Sequence, residues 1–393
     1  MDDAPPLAGV RVLDLTRYLA GPFCTLLLAD YGADVVKAES PGGREFRAPG
    51  GGRDSYFFLS ANRGKRSMTL DLRAAAGRDL LLRILPHFDV LVENFRPAVM
   101  PELGLAPEML TERFPRLVYC GISGFGPDGP YRDRPGFDQI AQGMSGFMSL
   151  TGTEESGPTR AGIAIGDLLG GIFGAHGVQL ALLARARTGR GQIVNTSLLE
   201  AMIGVLSWGA GMYFESGTPP GPAGQNHPLA SPYGRFRARD GYLNIAAAKP
   251  AMWNALARAL GREDWLSDER FADPFARVRH RAALTEEIEA ALSKADVAVW
   301  VERLNAVGIP TGPVLNVEQV FADPQVLARD MLVELAHPEV GTFRTTGLPI
   351  KFAATPGRIE RRPPLLGEHT EEVLLACGLT RDAIADLRAS AVI

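Results

Sequence analysis

Cysteine is scarce in this sequence, and the spacings that would hold a metal are missing. The 393 residues include three cysteines, Cys24, Cys120 and Cys377, in no CxxC or Cys/His pattern. We therefore expect neither a disulfide framework nor a metal site, and a reducing, cytoplasmic setting is favoured. The formal net charge is -4, without a long run of lysine or arginine. A nucleic-acid partner is therefore not expected.

Targeting signals and several common catalytic motifs are also missing. Residues 1–6 (MDDAPP) are acidic and proline-containing, unlike a signal peptide. Gly, Arg or Asp interrupts each apolar stretch before it reaches membrane-spanning length, so we expect no membrane partner. The chain has no GxSxG, HExxH or GxxxxGK[ST] motif, which disfavours serine hydrolases, metalloproteases and P-loop proteins. Residues 16–22 lack the GxGxxG of dinucleotide-binding folds.

Short apolar segments alternate with helical patterns in the first third of the chain. Helices are predicted at residues 23–31 and 74–85. Strands are predicted at residues 9–14, 33–38, 67–72, 90–93 and 117–122. This alternation predicts an α/β fold with a mainly parallel sheet.

The remainder of the chain predicts a change of domain. Apolar helices are expected at 167–187 and 198–214, before a Gly/Pro-rich loop at 217–225 that indicates a boundary. A smaller unit follows, with a strand at 242–247 and helices at 253–260, 283–292 and 297–307. We predict domains at 1–215, 216–320 and 321–393.

Asp167 lies in a glycine-rich segment, residues 166–170 (GDLLG), at the expected start of a long helix. Free backbone N–H groups and the helix dipole favour an ionised carboxylate there. The glycines, together with the apolar residues 161–165, would let a bulky ligand approach closely. An aspartate at a helix start is also an ordinary N-cap, so both interpretations are open at this point.

The order of short motifs along the chain resembles the class III coenzyme A transferase family. The resemblance covers nearly the whole sequence. Its blocks are GVRVLD (9–14), AGP (20–22), DYGADVVK (30–37), NRGKRS (62–67), ENFRP (93–97), GFGPDGP (124–130), RPGFD (134–138), GD (166–167), TGRGQ (188–192), GIPTGP (308–313) and LLGEHT (365–370).

The resemblance implies a fold and an activity. The fold would be a Rossmann-like large domain built from both chain ends plus a smaller α/β domain, in an interlocked homodimer. The activity would transfer CoA from an acyl-CoA to a free carboxylic acid through Asp167, by way of mixed anhydrides and an aspartyl-CoA thioester. CoA and acyl-CoA would be substrates, and no permanently bound cofactor is implied.

The resemblance also assigns residues to CoA. They follow successive strands: Leu19, Ala20, Ser40, Leu70, Asp71, Leu72, Arg73, Asn94, Phe95 and Arg96. Leu19 stands where some members have glutamine, and Glu102 where several have a phosphate-binding arginine. The phosphates would then rely on Lys65, Arg66 or Arg134. Arg73 and Arg96 could also contact phosphates, or each could be a solvated surface arginine. The 62–66 segment could likewise be a solvated turn.

The acceptor acid is assigned to the region after the Gly/Pro-rich loop. Candidate contacts are Gly224, Gln225, Asn226, His227 and Lys249. Lys249 or His227 could attract a second carboxylate, which favours a dicarboxylic acid; carnitine-type and aromatic acceptors are also open. Pro222 and Ala223 interrupt the glycine run of the oxalate-using members, which disfavours oxalate.

Two other functions are possible for a chain of this kind. The family includes α-methylacyl-CoA racemases, which need a pair of proton-exchanging groups. Racemases have histidine where this chain has Phe137 and glutamate where Lys249 aligns, so racemisation is disfavoured. The departures at Leu19 and Glu102 leave open a non-catalytic CoA-binding protein.

Overall fold

The computed structural model describes residues 4–43, 47–48 and 54–393. The chain divides into two compact units. The first contains both chain ends, with residues up to 148, 160–219 and 325–393, and the second contains residues 149–159 and 220–324. The predicted domains placed 149–159 with the first 215 residues, whereas this segment belongs to the second unit.

A parallel sheet forms the centre of the first unit. In the described part of the chain it has six strands, in the order β3-β2-β1-β4-β5-β6, and each neighbouring pair is parallel. The strands are β1 (Arg11–Asp14), β2 (Asp34–Glu39), β3 (Arg66–Thr69), β4 (Val90–Glu93), β5 (Val118–Ser123) and β6 (Ile193–Ser197). The predicted α/β fold with a parallel sheet is confirmed.

Alternating side chains of the strands enter two apolar cores. Leu13, Val36 and Leu91 enter one core, which the C-terminal helices cover through Val373 and Ile384. The adjacent residues Val12, Val35 and Val90 enter the other core, which contains Cys24 and Val178. Successive side chains of a strand point to opposite faces, so both faces of this sheet are covered.

Helices connect the strands and follow them. The two that matter most for the site are the Ala20 helix (Ala20–Asp30) and the Asp167 helix (Ile165–Thr188). The others in the first unit are Tyr56–Asn62, Ala75–Ile84, Val99–Glu102, Pro107–Arg113, Asp138–Met144, Leu198–Gly204, Trp208–Ser216, Thr370–Ala376 and Arg381–Ala389, with a 3-10 turn at Leu85–His87. An antiparallel pair, Leu332–His337 and Gly341–Thr346, lies near the C-terminus. The short helices Phe147–Leu150 and Pro324–Ala328 span the unit boundaries.

Two sequence-based predictions fail in this unit. The single helix expected at 198–214 is two helices, because Ser207 adopts a φ of 46° and breaks the hydrogen-bonding pattern between them. Strand β6 was not predicted. It is short and mostly half-buried, so its apolar pattern is weak.

The second unit has a small antiparallel sheet of Tyr233–Arg237, Tyr242–Ala246 and Thr311–Pro313, with the middle segment in the centre. The two-residue strands Gly152–Thr153 and Gly157–Pro158 also pair there. Its core contains the stacked rings of Trp253 and Trp265. The helices are Pro250–Ala259, Pro274–Arg279, Arg281–Leu292, Val297–Ala306 and Val317–Val320, with a 3-10 turn at Glu263–Leu266.

The Asp167 helix is long and apolar enough by composition to cross a membrane, with a mean hydropathy of 1.3 over its most apolar window. A core helix of a globular protein satisfies the same criterion. Here one face packs on the Ala20 helix and on strand β5, where Gly171 and Gly174 allow close contact. The expectation that no membrane partner exists stays a prediction.

Candidate active site

A cavity of about 680 Å³ lies along the carboxyl edge of the parallel sheet. Residues that follow five strands line it: Arg17 after β1, Ser40 after β2, Arg73 after β3, Asn94 after β4 and Gly124 after β5. Ligands of open α/β sheets bind at this edge. Asp167 also lines the cavity.

Asp138 holds the start of the Asp167 helix. Its Oδ1 accepts hydrogen bonds from the backbone N–H of Gly166 at 2.8 Å and of Asp167 at 3.4 Å. Its Oδ2 accepts a hydrogen bond from Gln142 at 2.7 Å. The N-cap position belongs to Ala164, and Asp167 lies within the first turn. Asp167 is therefore not the N-cap, and its side chain is available to the cavity.

The surroundings of Asp167 disfavour its charge. Burial, and then the negative charge of Asp138, raise the pKa of Asp167 to about 7. At neutral pH both forms of the carboxyl group are thus populated. A carboxylate with little water around it is a stronger nucleophile than a solvated one, and perturbed carboxyl groups in cavities are typical of active sites.

Glycines fix the Asp167 helix against the Ala20 helix. A Cβ at Gly171 would lie 2.7 Å from the backbone oxygen of Ala20, and one at Gly170 would lie 2.8 Å from the Leu198 side chain. Real Cβ atoms do not approach so closely. The second turn of the Asp167 helix therefore meets the start of the Ala20 helix at backbone distance, about one turn after Asp167.

The turn after β1, residues 15–22, forms one wall of the cavity. We call it the 15–22 turn; it includes the first turn of the Ala20 helix. The Asn94 side chain accepts from the N–H of Arg17 and donates to the oxygen of the same residue, both at 2.7 Å. Tyr18 adopts a φ of 62° and packs edge-on against Phe137, with ring centroids 5.9 Å apart.

Most of the residues assigned from the sequence line the cavity, and a few lie outside its lining. Eleven of the assigned residues line the cavity together: Asp167, Ala20, Ser40, Leu70, Asp71, Leu72, Arg73, Asn94, Phe95, Arg96 and Arg134. Leu19 does not line it but caps the Ala20 helix. Arg73 is largely exposed and pairs with Asp71 at 3.0 Å. Arg134 lies over the Tyr131 ring, 3.7 Å from its centroid.

Two predicted phosphate contacts need correction. The Lys65 side chain is fully buried and lies 3.0 Å from Asp14. Arg66 is bound by Asp34 and Glu372. Neither side chain lines the cavity. Acidic residues of nearby strands neutralise both side chains, Asp14 of β1 for Lys65 and Asp34 of β2 for Arg66, and a sequence motif does not reveal this.

Other cavity residues were missed by sequence reasoning. Arg17, Tyr18 and Arg132 line the cavity, although the family resemblance pointed to their neighbours. Glu93 is buried behind it and accepts hydrogen bonds from the Phe95 N–H at 2.7 Å and the Tyr119 hydroxyl at 2.9 Å. Burial raises the pKa of Glu93 to about 7, against the effect of these bonds. The available signal was a glutamate ending an apolar strand.

The predicted acceptor contacts all belong to the second unit. His227 stacks on Tyr233 with ring centroids 4.9 Å apart, and Asn226 forms a bridge with Gly234. Gly224 donates to the oxygen of Gly152 at 2.9 Å. The Gln225 oxygen accepts from the Arg235 N–H at 3.2 Å, and Lys249 is the N-cap of Pro250–Ala259. Their role toward an acceptor stays a prediction.

Metal-binding side chains are not clustered in the described part of the chain. No group of three or more His, Cys, Asp or Glu side chains there is placed to bind a metal ion. The expectation that the protein has no metal site stays a prediction.

Fold and site together define a class of protein. A cavity at the carboxyl edge of a parallel sheet, lined by arginines and a partly buried carboxylate, is suited to an enzyme that binds a large anionic ligand and attacks it covalently. The chain belongs to CoA-transferase family III, whose sequence model matches residues 7–370. It is an enzyme of this class.

Several characterised proteins are similar to this chain over nearly their full length. The succinate–glutarate CoA-transferase of Agrobacterium fabrum is 38% identical over 380 residues, covering 94% of this chain and 95% of that protein. The succinyl-CoA:mesaconate CoA-transferase of Haloarcula hispanica is 37% identical, covering 95% and 96%. The succinyl-CoA:glutarate CoA-transferase of Mus musculus is 35% identical, covering 95% and 86%.

Solved structures show the same fold. A CAIB/BAIF family protein from Brucella suis superposes with a TM-score of 0.86 and 38% identity, covering 95% of this chain and all of that one. Rv3272 from Mycobacterium tuberculosis superposes with a TM-score of 0.83 and 32% identity, covering 94% and 99%.

Proposed function

We propose that this enzyme transfers CoA from an acyl-CoA, such as succinyl-CoA, to a dicarboxylic acid, with Asp167 as the nucleophile. The observation that carries the proposal is the partly buried Asp167 carboxyl group in a cavity that arginines also line. The relatives above support the substrate class, since each is named for dicarboxylic acids or their CoA esters.

The first half of the reaction loads CoA onto the protein. An Asp167 oxygen attacks the thioester carbon, the C–S bond breaks, and CoA leaves as thiolate, which gives a mixed anhydride. The thiolate then attacks the aspartyl carbon of the anhydride and releases the donor acid as carboxylate. The product is an aspartyl-CoA thioester. No net proton is taken up or released.

The second half runs the same steps with the acceptor. Its carboxylate attacks the aspartyl thioester, expels the thiolate and forms a second anhydride. The thiolate attacks the acceptor's acyl carbon, and the C–O bond to the Asp167 oxygen breaks. New acyl-CoA leaves and the carboxylate is regenerated. Because an anhydride is high in energy, a carboxylate nucleophile makes each step readily reversible.

The cavity supports this chemistry in three ways. Burial destabilises the Asp167 carboxylate before reaction and so favours its acylation. Arg17, Arg96 and Arg134 are suited to phosphate oxygens of CoA. Asp138 and the glycine contacts of the helix hold Asp167 at a fixed place. We further propose that Lys249 or His227 binds the second carboxylate of the acceptor.

A racemase is disfavoured by the same cavity. Phe137 lines it with a side chain that is 61% exposed, and its ring can neither give nor accept a proton. Exchange of the α-proton of an acyl-CoA, measured in deuterated water without acceptor acid, would contradict this conclusion.

We also propose an interlocked homodimer in the cytoplasm. The proposal is supported by exposed apolar side chains on two helices: Leu180 and Leu183 are 52% and 64% exposed, and Phe214 is 79% exposed. Exposed apolar side chains that form a contiguous patch usually contact another chain. Light scattering coupled to gel filtration would give the mass, and a monomer at micromolar concentration would refute the dimer.

The activity is tested by incubating the enzyme with succinyl-CoA and a panel of acids that includes glutarate, mesaconate, malate, carnitine and benzoate. New acyl-CoA products are identified by mass spectrometry. Asp167→Ala should abolish them, whereas Asp382→Ala, which removes a first-turn aspartate of an exposed helix, should not. Products unaffected by Asp167→Ala would refute the mechanism, and products only with carnitine or benzoate would refute the acceptor class.

Oxygen-18 in the acceptor provides a direct test of the covalent steps. When both carboxylate oxygens are labelled, the final C–O cleavage leaves one labelled oxygen on the aspartate. The peptide that contains Asp167 should therefore gain one heavy oxygen in a single turnover, and up to two over many turnovers. A product formed without labelling of this peptide would exclude the aspartyl anhydride.

A further inference from the structure

A cluster of buried charges lies behind the 15–22 turn; Lys37 of this cluster also lines the cavity, whereas Asp14 and Lys65 do not. Asp14 ends strand β1, Lys37 lies on β2, and Lys65 immediately precedes β3. Lys65 Nζ lies 3.0 Å from one Asp14 oxygen, and Lys37 Nζ lies 3.9 Å from the other. All three side chains are at most 5% exposed. We call these three residues the buried charge cluster.

The buried charge cluster binds both ends of the turn. Lys37 Nζ donates to the backbone oxygen of Thr16 at 2.6 Å, and Lys65 Nζ donates to that of Pro22 at 2.9 Å. Asp14 accepts from the N–H of Thr16 at 2.8 Å and from its hydroxyl at 2.5 Å. The turn thus has a charged partner at its second residue, Thr16, and at its last, Pro22.

Attraction between Asp14 and Lys65 favours the charged form of each. Burial by itself would raise the pKa of Asp14, but Lys37, Lys65 and the hydroxyl groups of Thr16 and Thr25 outweigh it and lower the pKa to about 2. Burial lowers the pKa of Lys65 to about 8, against the attraction of Asp14. Buried ion pairs often add little net stability compared with apolar residues of the same size. Stability alone is therefore a weak reason for this arrangement.

Between the two ends, the turn has a conformation that needs support. Tyr18 has a φ of 62°, in the left-handed region that side chains other than glycine rarely adopt. A Cβ at Gly21 would lie 2.4 Å from that of Thr16, so the turn closes on itself tightly. Arg17, Tyr18 and Ala20 of this turn line the cavity.

We propose that Lys65 is a positioning residue for CoA binding: from behind the cavity it holds the Pro22 oxygen and so fixes Arg17 and Tyr18 where CoA contacts them. This role replaces the direct phosphate contact that the sequence suggested. The inference rests on the proposed function, because it takes CoA as the ligand of the cavity.

Three variants separate positioning from general stability. Lys65→Met removes the charge and keeps the length of the side chain. Asp14→Asn combined with Lys65→Met removes both charges of the pair, and the Asp14→Asn change keeps an oxygen that can accept from Thr16. The control is Arg63→Met, two residues from Lys65. Arg63 is also buried, but its side chain pairs with Asp30 at 2.7 Å and bonds Thr345 instead of the 15–22 turn.

Each variant is measured in three ways: the urea midpoint of unfolding, the Kd for CoA by calorimetry without acceptor acid, and KM for succinyl-CoA against kcat. We expect Lys65→Met to lower the midpoint and to raise Kd and KM at least tenfold. In the double variant the midpoint should recover toward wild type while Kd and KM stay raised. Arg63→Met should lower the midpoint but change Kd less than twofold.

Three results would overturn the positioning role. The first is a Kd that recovers together with the midpoint in the double variant, since Lys65 would then only neutralise Asp14. The second is an increase in Kd for Arg63→Met as large as that for Lys65→Met. The third is an unchanged Kd in Lys65→Met, which contradicts the positioning role alone, whereas a wild-type protein that binds CoA but forms no acyl-CoA product contradicts the proposed chemistry alone.

Discussion

Replacing Asp167 with asparagine is expected to abolish transfer and, at the same time, to make the folded protein more stable at neutral and alkaline pH. The pKa of Asp167 is raised from 3.8 to about 7. Between these pH values the folded protein holds a proton that the unfolded chain has lost. Stability is therefore lost as the pH rises from about 4 to about 7, and above that the loss is complete.

The size of the effect follows from the pKa. The two values differ by about three pH units, and each unit corresponds to about 1.4 kcal/mol. Ionisation of Asp167 thus costs the folded state at most about 4 kcal/mol above pH 7, and only about 1.5 kcal/mol at pH 5. Asparagine has nearly the same shape and no charge, so Asp167→Asn avoids this cost.

Urea unfolding of both proteins at pH 5 and pH 8 measures the difference. The stability gained by Asp167→Asn should be larger at pH 8 by roughly 2–3 kcal/mol. The other titrating groups are common to both proteins and largely cancel. Asp382→Asn, at an exposed helix start, is the control and should show little pH-dependent gain. Equal gains for Asp167→Asn at the two pH values would refute the conclusion that burial and Asp138 penalise the charge.

Three further changes test other parts of the site. Asp138→Asn removes the second cause of the raised pKa of Asp167, so the acidic limb of kcat/KM should move to lower pH; an unmoved limb would contradict the assignment of this limb to Asp167. Gly171→Ala places a Cβ 2.7 Å from a backbone oxygen and should cost about 1–3 kcal/mol in thermal or urea unfolding, with a matching loss of kcat. Gly211→Ala, in a helix with open space around it, should be neutral or stabilising by about 0.5–1 kcal/mol, and equal losses in both would argue against close packing as the cause. Glu93→Ala leaves the backbone N–H of Phe95, next to Asn94, without its acceptor and should raise KM for acyl-CoA several-fold. Glu93→Gln keeps an accepting oxygen and should restore KM toward the wild-type value. Equal increases in KM for the two variants would contradict a positioning role.

The sheet was predictable because its strands are short apolar runs between clear turns. Val90–Glu93 has the predicted bounds, and the other four predicted strands differ by up to three residues at their ends. Strand β6 was not predicted because a strand whose sides are half exposed has no strong apolar pattern. The break in the helix expected at 198–214 depends on one residue, Ser207, whose backbone angle no propensity indicates.

The site was predictable where function depends on position along a strand. Residues after β3 and β4, such as Leu70 and Asn94, line the cavity as expected, because strand ends determine where they lie. Side-chain direction was harder to predict. The Lys65 side chain points inward to Asp14, and a basic motif does not indicate in which direction its side chains point. The raised pKa of Asp167 could not be inferred either, because Asp138 is 29 residues away in the sequence and comes close to Asp167 only in the folded chain.

The glycines of the Asp167 helix have a genetic consequence. Every single-nucleotide change that replaces glycine with another amino acid adds at least a Cβ atom. At Gly171 that atom would lie 2.7 Å from the backbone oxygen of Ala20, which cannot move aside as a flexible side chain can. A missense change at this codon therefore requires a shift of the helix that holds the nucleophile. Lineages that acquire a new acceptor acid should show their substitutions elsewhere in the chain, with the Gly171 codon unchanged.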